Sequence, residues 1–101
     1  MTITYNKLRT RVRLDRIVAN YRLLSKLGGK VIPVIKADAY GHGLVQVARV
    51  LAQAGAETFA VGTVEEGVKL RLSGCAGRII SLLGPLDGEE YDALFDQNIV
   101  P

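Results

Sequence analysis

The chain has 101 residues, of which 49% are hydrophobic and 23% are charged, and its formal net charge is +3. This composition is typical of a soluble globular α/β protein and argues against a disordered or fibrous one. The longest apolar runs, residues 31–35 and 79–83, are far shorter than the roughly 20 residues of a membrane span. Basic residues are dense only in residues 7–16, where alternation favours an edge strand over a nucleic-acid patch. We therefore expect no membrane span, no nucleic-acid partner and, with Cys75 as the only cysteine, a cytoplasmic location.

The first half of the chain alternates between strand and helix periodicity. Residues 9–14 predict a strand, and Asp15 is expected to cap a helix that ends at Gly28 and Gly29. Residues 31–35 predict a short buried strand. A second helix is predicted between Gly43 and Gly55, with four apolar residues facing inward: Leu44, Val47, Ala48 and Leu51.

The second half repeats the same rhythm. Strands are predicted at residues 58–62, 79–83 and 99–100. Thr63 with Glu66, and Asp87 with Glu90, have the spacing of capping boxes, so a helix is predicted after each of the first two strands. These helices are expected to end near Gly74 and Phe95.

The strands carry apolar residues at consecutive positions, which indicates a parallel sheet covered by helices on both faces. Successive βα units are compatible with two architectures, a small doubly wound sheet or the opening arc of a (β/α)₈ barrel. Periodicity does not separate them. A barrel typically needs about 250 residues, so this second architecture requires the chain to be a fragment.

Lys36 is the residue with the clearest chemical potential. It follows five apolar residues, so we expect it at the C-terminal end of a buried strand, the edge where active sites of βα folds form. A lysine amine withdrawn from water can attack a carbonyl and form a Schiff base. A surface lysine at the point where a strand leaves the core explains the same position equally well.

The residues after Lys36 suggest an anion site. Tyr40 could donate a hydrogen bond to a phosphate or merely cover the strand end. Gly41 and Gly43 permit a tight turn before a helix N-terminus, which favours anions. His42 lacks partners at metal-ligand spacing, so we expect a hydrogen-bonded loop histidine and no metal site.

Residues 36–43, with the sequence KADAYGHG, resemble the pyridoxal 5′-phosphate (PLP) attachment motif of alanine racemases. In that motif lysine, alanine, asparagine or aspartate, alanine, tyrosine, glycine, histidine and glycine follow a hydrophobic strand. The resemblance continues on both sides, over residues 11–24, 45–71 and 80–84. It therefore covers nearly the whole chain, in the order of the family.

The resemblance implies an α/β fold in which an opening strand and helix precede the first three βα units of a (β/α)₈ TIM-type barrel. Residues 1–14 would form the N-terminal strand segment and residues 15–101 the start of the barrel, with the remaining barrel and a C-terminal β-domain absent. Lys36 would bind PLP covalently and act as one of two bases. Tyr40 would contact the cofactor near its phosphate, and Leu83 would lie beside it.

The implied function is PLP-dependent interconversion of L-alanine and D-alanine by a homodimer. The second base of the family is a tyrosine from the C-terminal domain of the partner subunit, so the piece alone is expected to be inactive. Glu66 is expected to act only as a capping-box acid, and Arg71 as a helix-surface or ion-pairing residue. The alternatives are a PLP-homeostasis protein, a broad-specificity or serine racemase, and a flavodoxin-like binding module without chemistry.

Overall fold

The computed structural model describes residues 2–5, 8–11, 13–36 and 43–101. The strands are β1 (Thr2–Tyr5), β2 (Leu8–Arg11), β3 (Thr58–Val61), β4 (Arg78–Ser81) and β5 (Ile99–Val100). The helices are α1 (Leu14–Gly28), α2 (Leu44–Gln53), α3 (Val64–Leu72) and α4 (Gly88–Asp96). Among these helices none is both long enough and apolar enough to cross a membrane.

The N-terminal segment forms a hairpin and then enters α1. Strands β1 and β2 pair antiparallel, so the predicted strand 9–14 is confirmed for residues 9–11 and is wrong at Leu14, where α1 begins. The predicted cap at Asp15 is wrong, because Arg13 occupies the N-cap position and Asp15 lies in the first turn of α1. There the Asp15 carboxylate accepts hydrogen bonds from the Arg13 guanidinium at 2.9 and 3.1 Å. These hydrogen bonds lower the pKa of the Asp15 carboxyl, and the negative charge suits the helix N-terminus.

Four parallel segments lie side by side in chain order. Strands β3, β4 and β5 form a parallel sheet, and residues 33–35 join it through a single bridge between Val34 and Ala60. The Ile35 N–H donates to the Ala60 carbonyl at 2.8 Å, and the Ala60 N–H donates to the Pro33 carbonyl at 2.9 Å. Pro33 has no N–H, so it contributes only its carbonyl oxygen to the ladder.

This strand order distinguishes between the two architectures that the sequence left open. A doubly wound sheet reverses its strand order at a switch point, whereas the described strands continue in one direction. Right-handed crossovers that advance in one direction place their helices on one face of the sheet. Accordingly α1 contacts α2, α2 contacts α3, and α3 contacts α4. The arrangement is that of the opening arc of a (β/α)₈ barrel.

The core lies between this sheet and the helical layer. Its largest fully buried side chains are Phe59, Leu44, Leu70, Ile79, Val61 and Val64. The inward face predicted for α2 is confirmed, since its four predicted residues are all buried. The predicted burial of strand 31–35 is only partly right: Ile35 is 3% exposed, but Ile32 is 49% and Val34 is 43% exposed. Alternate residues of a strand face opposite sides, and the described helices cover only one of them.

Helix boundaries follow the predicted signals closely. Gly29, with φ of 84°, ends α1 as expected. The capping box of Thr63 and Glu66 is confirmed, because the side chain of each residue accepts a hydrogen bond from the backbone N–H of the other. The second box is half right: the Asp87 carboxylate accepts from the Glu90 N–H at 2.9 Å, but the Glu90 carboxylate accepts from Leu86.

Candidate functional site

The C-terminal edge of the parallel sheet brings Lys36 next to β3. Val34 is bridged to Ala60, and two residues later Lys36 has left the extended segment and takes a helical conformation close to Gly62. Lys36 directly follows the buried Ile35 and is itself exposed. Its location therefore agrees with the predicted strand end, while its chemical role stays a prediction.

Gly62 provides the space that Lys36 occupies. A Cβ atom built on Gly62 would lie 3.0 Å from the Lys36 Cβ and 2.9 Å from the Glu66 Oε1. The base of the lysine side chain is thus seated directly over the Gly62 backbone, an approach that the absence of a side chain permits. Gly62 was not among the predicted site residues, although a glycine at the end of an apolar run is a known sign of close approach.

The Glu66 carboxylate is fixed at the same edge. Its Oε1 accepts hydrogen bonds from the N–H groups of Gly62 at 3.0 Å and Thr63 at 3.3 Å. The Glu66 N–H donates in return to the Thr63 hydroxyl at 3.1 Å. The expected capping role is confirmed. Its bond to Gly62 goes beyond that role, because it places a half-buried carboxylate beside the base of Lys36.

Leu83 reaches this edge from the next strand. Its N–H donates to the Gly62 carbonyl at 2.9 Å, which continues the β3–β4 pairing past Ser81. The buried Ser81 hydroxyl donates to the Leu83 carbonyl and so fixes the backbone after β4. The Leu83 side chain is 61% exposed at the edge. Lys36 and Leu83 therefore approach the end of β3 from either side.

The structure describes only part of the loop that was predicted to contact a phosphate. Tyr40 and His42 lie outside the described residues, so the proposed contact of Tyr40 with the cofactor stays a prediction. Gly43 is described: it is the N-cap residue of α2 and has φ of 94°, a conformation that favours glycine. Across the described ranges, no three His, Cys, Asp or Glu residues are grouped in a way that could hold a metal ion.

Arg71 lies at the opposite end of α3 and does not act as expected. Its guanidinium donates to four backbone carbonyls: those of Cys75 at 2.8 Å, Gly77 at 2.7 Å, Gln97 at 2.8 Å and Asn98 at 2.9 Å. The prediction of a helix-surface or ion-pairing residue is therefore wrong, although its structural character is right. Basic residues near a helix C-terminus often bind carbonyls in this way, which was the available signal.

Comparison with known proteins identifies the family to which this fold belongs. The sequence model described as "Alanine racemase, N-terminal domain" matches residues 12–101. The chain belongs to the alanine racemase family. It is 48% identical over 101 residues to an alanine racemase of Nitratidesulfovibrio vulgaris (strain DSM 19637 / Miyazaki F), covering 100% of this chain and 27% of that protein. It is 43% identical over 95 residues to an alanine racemase of Neisseria gonorrhoeae, covering 93% of this chain and 27% of the relative.

Solved alanine racemases share the same backbone. The enzyme from Bartonella henselae, described with covalently bound pyridoxal phosphate, gives a TM-score of 0.79 at 34% identity, over 89% of this chain and 26% of that one. The biosynthetic alanine racemase from Pseudomonas aeruginosa gives 0.80 at 32% identity, over 87% and 25%. The chain thus spans about a quarter of the length of these relatives. A match over nearly all of it leaves the flavodoxin-like alternative without support.

Proposed function

We propose that this chain supplies the lysine that binds PLP in a racemase interconverting L-alanine and D-alanine. The proposal depends on the location of Lys36, which directly follows a bridged strand segment at the C-terminal edge of the parallel sheet. In βα folds this edge is where reactive groups gather. The family membership and the covalently bound pyridoxal phosphate named for the Bartonella protein support it.

The residues present fit an aldehyde cofactor. Such a cofactor requires a primary amine on a side chain that is fixed at its base. Lys36 supplies one, because its side chain is exposed and its Cβ is seated over Gly62 next to the buried Ile35. The turn at Gly43 opens α2, whose N-terminal N–H groups favour an anion such as a phosphate, and Tyr40 is proposed as a further donor.

The chemistry divides between the cofactor and the chain. When bound, PLP delocalises the negative charge that develops on the substrate Cα as its proton leaves. Lys36 is proposed to take or return that proton on one face. Inversion needs a second base on the opposite face, which we assign to the partner subunit of a homodimer. Leu83, apolar and exposed at the same edge, would exclude water from the reacting atoms.

Borohydride trapping tests the assignment. The protein is incubated with PLP, reduced with borohydride, digested and examined by mass spectrometry, and we expect the pyridoxyl label on Lys36. Lys36→Ala should lose the label, and Lys36→Arg should not restore it, because a guanidinium stays protonated. Lys30→Ala is the matched control, since Lys30 lies at the opposite end of the same segment.

The same variants test the reaction in the assembled protein. Exchange of the alanine Cα proton with deuterated solvent should be abolished in Lys36→Ala and kept in Lys30→Ala. A pyridoxyl label found on other lysines while Lys36 remains unmodified would contradict the cofactor assignment. Normal Cα-proton exchange without Lys36 would contradict its role as a base.

A further inference from the structure

We propose that Glu66 is a positioning residue for Lys36, in addition to capping α3. Its carboxylate would supply the negative charge against which the charged lysine amine is held at the sheet edge. The inference deepens the proposed function, since positioning matters only if Lys36 is the reactive amine. It rests on the juxtaposition of the two side chains over Gly62.

The distances limit how far apart the two groups lie. The point that a Gly62 Cβ would occupy is 3.0 Å from the Lys36 Cβ and 2.9 Å from the Glu66 Oε1. The two atoms are therefore separated by no more than the sum of these distances. The lysine side chain is long enough to bring its amine near the carboxylate. Opposite charges about 4 Å apart attract each other appreciably near a protein surface.

The carboxylate is well suited to this task because it does not move freely. Two backbone N–H groups, of Gly62 and Thr63, hold its Oε1 in place. A capping box by itself needs only the bond to the N-cap residue, here Thr63. The bond to Gly62 instead ties the carboxylate to the residue that Lys36 covers. The charge therefore has a fixed location relative to the base of the lysine.

Glu66→Gln separates the two roles. Glutamine keeps an oxygen that accepts from the same N–H groups, so the cap survives while the negative charge is lost. Glu65→Gln is the matched control, because Glu65 is the preceding residue in the first turn of α3 and is exposed. It removes the same charge from the same helix end. Thermal unfolding of both variants verifies that the fold and the cap are retained.

The experiment measures acylation of Lys36 by a neutral amine-reactive ester, followed by peptide mass spectrometry, without any cofactor. A carboxylate that holds the lysine side chain in place leaves its amine less free to attack the ester. Glu66→Gln should therefore speed acylation of Lys36 by about two- to five-fold at low salt, and the difference should shrink in about 1 M salt. Acylation of Lys30 should be unchanged in the same samples, and Glu65→Gln should leave Lys36 unchanged.

The outcomes separate this inference from the proposed function. Equal acylation of Lys36 in Glu66→Gln and the parent protein, with the fold intact, would overturn the positioning role. So would an equal acceleration in Glu65→Gln, since that would show only a change in net charge. Failure of PLP to label Lys36 would overturn the proposed function, whereas the acylation result needs no cofactor and would stand on its own.

Discussion

Arg71 offers the sharpest test of how this fold is held together. Its guanidinium joins two turns that are distant in sequence, the α3–β4 turn through Cys75 and Gly77, and the α4–β5 turn through Gln97 and Asn98. The planar, forked group can direct donors at both turns at once, whereas a lysine ammonium is a compact point charge. Arg71→Lys keeps the positive charge but should lose most of these bonds.

The magnitude follows from the number of bonds lost. Hydrogen bonds that involve a charged group contribute about 1.5–3 kcal/mol each. The released carbonyls lie near the surface and regain water, so about 1 kcal/mol per lost bond is a more suitable value. Losing two or three of the four bonds should lower the free energy of unfolding by about 2–3 kcal/mol. For a domain of this size that corresponds to a fall in Tm of about 10–20 °C.

Urea and thermal denaturation measure this loss, and hydrogen exchange locates it. Exchange should accelerate most at the amides of β5 and of the turn before it, because Arg71 ties that turn to the α3–β4 turn. Arg49→Lys, at an exposed position of α2, is the control and should stay within about 0.5 kcal/mol of the parent protein. If Arg71→Lys behaves like this control, the carbonyl bonds contribute little and the reasoning is refuted.

Two further predictions concern local packing and charge. Gly77→Ala would place a Cβ 2.8 Å from the Glu57 carbonyl oxygen. Chemical denaturation should show that the free energy of unfolding falls by about 1–3 kcal/mol. Gly88→Ala is the control and should not destabilise the fold, because its Cβ meets nothing within 4 Å. Arg13 lowers the pKa of Asp15 from its ordinary 3.8, so the pair stabilises the fold above that pH and ceases to do so as the pH falls through the lowered value. Asp15→Asn should therefore be less stable than the parent near neutral pH and equally stable in strong acid, and a difference that persists in strong acid would contradict this.

Local features of this fold follow directly from the sequence. Thr63 and Glu66 form the predicted box because its two hydrogen bonds need only the spacing of neighbouring residues. Gly29 ends α1 for a similar reason, since a positive φ is a property of one residue. The motif at residues 36–43 identifies the family without any structure, and the match over residues 12–101 confirms it. Asp15 is the exception, because Arg13 competes for its carboxylate.

Features that depend on distant residues were decided by the tertiary structure. Apolar periodicity is the same in a barrel and in a doubly wound sheet, so only the pairing of strands in chain order separated the two. The carbonyls that Arg71 binds at Gln97 and Asn98 are 26 and 27 residues away in sequence, and no local sequence pattern predicts these contacts. The meeting of Lys36 and Glu66 over Gly62 likewise depends on the register between two strands, which side-chain periodicity along one strand does not specify.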